Sequence, residues 1–300
     1  MIYLITLNPA IDTKIEVDEF GSRDCIAQKV EYFLASKAIN SAKPLIINNI
    51  NFRSLVFSGK IPFESVSKEE HEFFFHEGSI RQNFTIYKNS QFVSHIRSKS
   101  AATYSNIERF FNKIKGIIGE EDYLVIAGST PSLKGDADYS LLEKLVSDIR
   151  CKKVLDTTTF DAEALKKISP HTLKINIKEL SSILNVPITK ITKKNLIDLQ
   201  KDIKCRLVIT QASKKVLAVD KNGEYSEFIL PNQHITKNES EIGSGDIFLG
   251  GYLVGLSTDI DFSNAIKTAM AYASIHQTTN LLYRKKLDVS RVSRIKSTII

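Results

Sequence analysis

The apolar positions of this chain follow two rhythms. Short, mostly apolar runs at 2–7, 53–59, 123–127, 153–155, 172–175 and 206–210 predict buried strands. Between and after them, apolar residues recur at helical spacing. They predict helices over 35–48, 64–77, 103–118, 137–150, 161–168, 177–184, 195–202, 247–256 and 263–277, with a terminal helix closing the chain. Strict alternation marks a third kind of segment, at 13–20 and 26–33. Two hairpins are also predicted: 81–87 with 91–97 around Lys88-Asn89-Ser90, and 216–220 with 224–230 around Lys221-Asn222-Gly223. Strand followed by helix, repeated with short linkers, predicts an α/β fold. Its sheet is mostly parallel, with helices on both faces, in a single domain over 1–300. The alternating pieces, about 13–33 and 80–97, predict a small antiparallel β lid outside that layer, serving as a cover, a dimer surface or both. No period of 20–50 residues recurs, which excludes a solenoid.

Composition narrows the class of partner. The 300 residues are 42% hydrophobic and 25% charged, an ordinary balance for a folded domain. The net charge of +7 is spread over short clusters such as Lys166-Lys167, Lys193-Lys194, Lys214-Lys215 and Arg284-Lys285-Lys286. That excess suits anionic metabolites. With no basic stripe interleaved with aromatics, it argues against nucleic acid. Cys25, Cys151 and Cys205 are far apart and match neither a zinc site nor a disulfide framework, so a reducing, cytoplasmic setting is expected. The start of the chain lacks a basic leader, and no apolar run is long enough to span a membrane, so no membrane partner is expected.

Candidate chemistry sits at strand ends, where ligands collect in open α/β sheets. Asp12, Ser129, Asp156, Asn176 and Thr210 all follow or close predicted strands. The most pointed stretch is Gly243-Ser244-Gly245-Asp246, a glycine turn running into an apolar helix. Glycines permit tight or positive-φ backbone, and the first amides of a helix lack internal acceptors, so such a turn suits an anion. Asp246 is then a candidate base beside an anion hole, or an ordinary helix cap. Asp12 is a ligand for sugar hydroxyls or a turn-stabilising carboxylate.

Taken with further motifs, these residues carry a resemblance. Thr6-Leu7-Asn8-Pro9-Ala10-Ile11-Asp12, Gly78-Ser79-Ile80-Arg81-Gln82-Asn83, Gly128-Ser129-Thr130-Pro131, Asn176-Ile177-Lys178-Glu179 and Gly243-Ser244-Gly245-Asp246 span nearly the whole length. The chain resembles the ribokinase-like PfkB carbohydrate kinases, in particular the branch of 1-phosphofructokinase and tagatose-6-phosphate kinase. The resemblance implies ATP-dependent phosphorylation of a sugar phosphate, with fructose 1-phosphate giving fructose 1,6-bisphosphate as the first expectation and tagatose 6-phosphate as the second. It implies Asp246 as the base and the backbone of Gly243, Ser244 and Gly245 as the anion hole. It implies Asp12, Lys37, Asn40, Arg81 and Ser129 as substrate-binding residues. It implies Lys174, Asn176, Glu179 and Thr210 around ATP and Mg²⁺, Glu179 acting through water. Read from position alone, Arg81 is equally a solvated strand residue and Glu179 a solvated helix charge.

The chain also departs from that branch. Ala35-Ser36-Lys37-Ala38-Ile39-Asn40 stands where Gly-Gly-Lys-Gly-x-Asn is usual, and Thr210-Gln211-Ala212-Ser213-Lys214-Lys215 stands where Ser-x-Gly-x-x-Gly is usual. Added Cβ atoms restrict positive φ and close backbone approach. The expectation is looser enclosure of both ligands, and hence either a kinase with high Michaelis constants or a kinase-like binding or regulatory protein with little turnover.

Overall fold

Burial of every residue of the first strand, β1 (Ile2–Thr6), marks the centre of a two-faced layer. Alternate residues of β1 enter different cores: Ile2 and Leu4 face one, Tyr3 and Ile5 the other. That is the period of two expected of a strand covered on both sides. The structure is a computed structural model, describing residues 1–21, 24–61, 71–133, 139–212, 215–231, 243–279 and 289–299. The expected lysine and arginine clusters at 214 and 284–286, and the first part of the helix expected over 64–77, lie outside the described residues.

In chain order the strands are β1, β2 (Ala10–Val17), β3 (Ala27–Ala35), β4 (Phe52–Lys60), β5 (Glu72–Ser79), β6 (Arg81–Lys88), β7 (Gln91–Arg97), β8 (Ala101–Ala102), β9 (Tyr123–Ala127), β10 (Ser132–Leu133), β11 (Lys152–Asp156), β12 (Thr172–Asn176), β13 (Arg206–Gln211), β14 (Lys215–Val219) and β15 (Tyr225–Ile229). The helices are α1 (Lys37–Ile47), α2 (Tyr104–Lys115), α3 (Tyr139–Ser147), α4 (Ala162–Ile168), α5 (Ile177–Leu184), α6 (Lys193–Ile203), α7 (Ser244–Ser257), α8 (Phe262–Thr279) and α9 (Val289–Thr298).

Among the described residues the main sheet has nine strands in the order β15-β14-β13-β12-β11-β9-β1-β4-β5. Pairing is parallel from β13 through to β5, and antiparallel only in the hairpin edge β13-β14-β15. One face is covered by α1, α7, α8 and α9, the other by α2 through α6. The order reverses beside β1: the chain runs outward to β4 on one side and to β9 on the other. Such a switch point opens a crevice at the carboxyl ends of the two strands.

The second sheet has the order β3-β2-β6-β7. Its outer pairs are antiparallel, as expected, and are joined through a parallel β2–β6 pairing that sets Asp12 beside Asn83. A two-stranded piece, β8 with β10, is an addition that two residues per strand could not announce.

The helix expected over 64–77 is corrected where it is described. Residues Glu72–Ser79 form β5, the edge strand beside β4. Phe73 and Phe75 stack on one side with centroids 5.7 Å apart, while Phe74 turns to the other and meets Phe110 of α2 at 5.0 Å. Three adjacent phenylalanines are crowded on a helix but fall naturally on the two sides of a strand. The helix expected from Ala35 begins instead at Lys37, because Ala35 still belongs to β3 and Ser36 is its N-cap.

Candidate active site

The parallel strands deliver polar residues to one edge of the sheet. Thr6 ends β1, Asp156 ends β11, Asn176 ends β12, and Thr210 lies near the end of β13. Gly128 follows β9 with φ +97°, a left-handed conformation that needs glycine, and its amide donates to the Asp156 carbonyl at 3.0 Å. Above this edge sits the start of α7, with Gly243 at φ +83° as its N-cap. Glu241 and Ile242, which precede it, lie outside the described residues. By helix geometry the amides of Ser244 and Gly245 have no acceptor within the helix, so they form an anion-receptive turn.

Asp246 stands in the first turn of α7. Its Oδ2 accepts from Asn40 Nδ2 at 2.7 Å, and its carbonyl accepts from Ser41 Oγ at 2.9 Å, so α1 holds both ends of the residue. Burial pushes the Asp246 carboxyl up from the ordinary carboxylate range and the nearby Asp156 charge adds to this, against the Asn40 hydrogen bond and the Lys174 and Lys37 charges.

Sequence reasoning placed Asp156 at a strand end but gave it no role, and the structure puts it at the hub of the site. The residue is fully buried; Lys37 Nζ reaches its Oδ1 at 2.9 Å and Lys174 Nζ its Oδ2 at 2.8 Å. Burial alone would raise its carboxyl, but Lys174 and Lys37 outweigh burial and hold it below the ordinary range. Lys174 is itself 4% exposed and also donates to the Gly245 carbonyl at 3.2 Å. Two ammonium groups, balanced by the Asp156 and Asp246 carboxylates, are thus fixed beneath the glycine turn, and Lys174 acts there from a poorly solvated place.

Two clefts open on either side of this hub. The first, about 250 Å³, is lined by Asn8, Lys37, Arg81, Ser129, Thr157 and Glu179 among others. Arg81 reaches toward Ser129 Oγ at 3.5 Å, and its Nε is buried without a partner. Asn8 Nδ2 donates to Ser129 Oγ at 3.2 Å. Asp12 lies within β2 and accepts from Asn83 Nδ2 at 2.6 Å, which places it on the small sheet rather than on a strand end of the main one. The second cleft, about 230 Å³, is walled by Asn176, Thr210, Ala212, Val216, Phe248 and Met270 among others, and reaches Ser244 and Gly245. The structure therefore brings Asp246, Asn40, Lys37, Lys174 and the glycine turn together. It sets Arg81 and Ser129 in the first cleft, and Asn176 and Thr210 in the second.

The lost glycines have structural replacements. Ser36 adopts an extended φ of −159°, caps α1 by accepting from the Ile39 amide at 3.0 Å, and shares a 2.8 Å hydrogen bond with Thr6. Ala38 is fully buried in the α1 packing. Lys215 lies in β14 and pairs with Glu227 at 2.6 Å. Ala212 differs: its φ is +49°, a left-handed conformation that glycine adopts without strain and alanine does not.

The residues present fit Mg²⁺ in one form only. Asn176 and Glu179 form a capping box at the start of α5, with Glu179 Oε2 accepting the Asn176 amide at 2.8 Å. The other oxygen, Oε1, lies 4.0 Å from Lys37 Nζ at the rim of the first cleft. Among the described residues no group of three or more His, Cys, Asp or Glu converges to cage a cation. This donor set suits a magnesium ion brought in by nucleotide phosphates, with Glu179 Oε1 receiving one of its waters.

A doubly covered parallel sheet, an anion-receptive glycine turn and a buried carboxylate between two clefts define a ribokinase-like fold. Over 99% of this chain and 98% of that one, the structure superposes on phosphofructokinase-2 from Escherichia coli with a TM-score of 0.80 at 18% identity. The pfkB family carbohydrate kinase model matches residues 88–282, and the chain belongs to that family. It is a carbohydrate kinase. Among curated proteins it is 24% identical to a 1-phosphofructokinase of Borreliella burgdorferi, over 90% of each chain. It is 21% identical to a tagatose-6-phosphate kinase of Staphylococcus epidermidis, over 96% of each.

Proposed function

We propose that the chain transfers the γ-phosphoryl group of ATP to a hydroxyl of a sugar phosphate, fructose 1-phosphate being the first candidate and tagatose 6-phosphate the second. The names of its relatives support the substrate class. The observation that carries the reading is the position of Asp246. This buried carboxylate is held by Asn40 beside the glycine turn, between a cleft rich in cationic and hydroxyl groups and a cleft with apolar walls.

In this reading Arg81, Ser129 and Lys37 hold the phosphate already on the sugar, Arg81 offering a planar fork suited to it. Asp12 and Asn40 meet sugar hydroxyls. The second cleft takes the nucleoside, and Thr210, Asn176 and Lys174 meet its phosphates. Asp246 accepts the proton of the acceptor hydroxyl as that oxygen bonds to the γ-phosphorus. The bond from phosphorus to the bridging oxygen breaks, ADP carries off the electron pair, and the amides of Gly243, Ser244 and Gly245 stabilise the transferring group. Magnesium, when bound, neutralises charge on the ATP phosphates. In this reading the small sheet, which contributes Arg81 to the first cleft, serves as its lid. It also exposes Val30, Tyr32 and Ile96, which the strand registers put on one face, an apolar surface suited to a second copy of the chain. Cys151 and Cys205 are free thiols, which suits a reducing, cytoplasmic setting. Among the described residues no helix is long and apolar enough to cross a membrane.

The test is single-turnover phosphoryl transfer from ATP with Mg²⁺ across ketose monophosphates, alongside sedimentation of the protein. Rapid formation of fructose 1,6-bisphosphate supports the first candidate. Binding of ATP and sugar phosphate with no transfer on any member of the panel would convert the reading into that of a binding protein.

A further inference from the structure

The second cleft contains a polar group with no partner. Helix α8 turns Met270, Ala273, Ser274 and Gln277 toward it, the spacing of one helical stripe. Opposite stand Phe248 and Val216, so this wall is largely apolar. Gln277 is only 6% exposed. Its Nε2 donates a long hydrogen bond of 3.4 Å to Ser244 Oγ, and its Oε1 is buried without any hydrogen-bond partner.

A buried acceptor without a donor is unfavourable, and native structures retain few of them. A leucine or methionine would fill the same stripe with no orphaned atom. The missing donor has few possible sources. Phosphate oxygens are acceptors and cannot supply it. The Lys174 ammonium is engaged by Asp156 and the Gly245 carbonyl. An occupant of the cleft can supply it as an N–H or O–H, and the nucleoside of ATP has both, on the 6-amino group of the base and on the ribose.

We infer that Gln277 is a specificity-determining residue for the phosphoryl donor, its free amide oxygen accepting a hydrogen bond from the nucleoside. The inference rests on the reading of this cleft as the ATP site. None of the motifs that mark the anion hole or the base includes Gln277, so nucleotide choice here is set by a position outside them.

The experiment is calorimetric titration, with Mg²⁺, of ATP, purine riboside triphosphate, 2′-deoxy-ATP and 3′-deoxy-ATP. These are bound to the wild type, Gln277→Leu and Gln277→Glu. The analogue lacking the donated hydrogen should bind the wild type about tenfold more weakly than ATP, the scale of one buried hydrogen bond. The first analogue to show this loss identifies the base, either of the others the ribose. Gln277→Leu should bind ATP about tenfold more weakly and no longer distinguish that analogue. Gln277→Glu, which keeps an acceptor, should keep the discrimination. Equal affinity of the wild type for all four nucleotides overturns the inference while leaving the ATP site standing, and that result needs no variant to fold. Discrimination that survives in Gln277→Leu overturns it too. A wild type that binds no nucleotide overturns the assignment of the cleft and the inference with it.

Discussion

Asp246 meets two opposed requirements: a base must be ionised to accept a proton, yet this one is buried beside another carboxylate. Asn40, Lys37 and Lys174 supply the compensation. Asp246→Asn keeps the size of the side chain and removes the basic oxygen. Turnover should fall at least about a hundredfold with ATP affinity unchanged, measured by kcat and by titration; unaltered kcat would remove Asp246 from the chemistry. Arg81 has a buried, unpartnered Nε in the first cleft. Arg81→Ala should raise KM for the sugar phosphate far more than KM for ATP, and an equal effect on both would place Arg81 elsewhere in the reaction. Ala212 holds a left-handed conformation at φ +49° on the wall of the second cleft. A non-glycine residue there costs about 1–2 kcal/mol, partly offset by the greater chain entropy glycine loses on folding. Ala212→Gly should therefore stabilise the protein by about 0.5–1 kcal/mol in urea denaturation and lower KM for ATP. Restoring glycine at position 36 is different, since Ser36 has no positive φ to relieve and its cap and its bond to Thr6 would be lost.

At the scale of elements, the site depends on how closely α1 and α7 approach. A Cβ on Gly250 would lie 2.3 Å from the Ser41 carbonyl oxygen and 2.7 Å from Pro44 Cδ, so this glycine lets the two helices meet. The same contact carries the Asn40 and Ser41 hydrogen bonds to Asp246. Gly250→Ala should push the helices apart, destabilising the protein by about 1–3 kcal/mol. It should also lower kcat, because a displacement of about 1 Å at a reacting centre costs on the order of a hundredfold. A folded variant with full kcat would show that the approach is not needed for chemistry. Much of the element pattern could be read from the chain. Buried runs such as 123–127 and 206–210 are strands, and the glycine turn at 243–245 does open a helix. Strand β5 was misread because three phenylalanines are apolar on any face, and only the partner surfaces, β4 and α2, decide which period applies. For Asp156 the limit is different in kind. Its type and strand-end position were visible, but its two lysine partners come from α1 and β12, and only tertiary packing brings them within 3 Å. Gln277 stayed hidden for a similar reason. A glutamine late in a helix carries no signal until the facing cleft is known.

At the scale of the whole molecule, the sheet has a polar network at the end opposite the site. His171 precedes β12 and packs edge-on against Tyr123, ring centroids 5.6 Å apart. One ring nitrogen meets Thr172 Oγ1 at 3.0 Å, and the other lies 3.1 Å from Arg206 Nη1, which can only donate. Thr172 Oγ1 passes the network on to the Tyr252 hydroxyl of α7 at 3.1 Å. The imidazole must therefore be neutral. Burial pushes its pKa down and the charges of Arg206, Lys152 and Lys221 push it further, to about 4 from the ordinary 6.5. The unfolded chain then binds a proton that the folded chain refuses throughout the interval between those values. The stabilisation is fully present above pH 6.5 and is lost as pH falls through 4. At pH 5 the loss from this residue is about 1–2 kcal/mol once partial solvent access is allowed for. The measurement is urea denaturation between pH 7.5 and 4.5 on the wild type and on His171→Asn, which cannot take up the proton. The wild-type curve should drop below pH 6.5 more steeply than that of the variant. Parallel curves would mean that His171 titrates normally, and the network tying β12 to α7 would then have to tolerate an imidazolium facing Arg206.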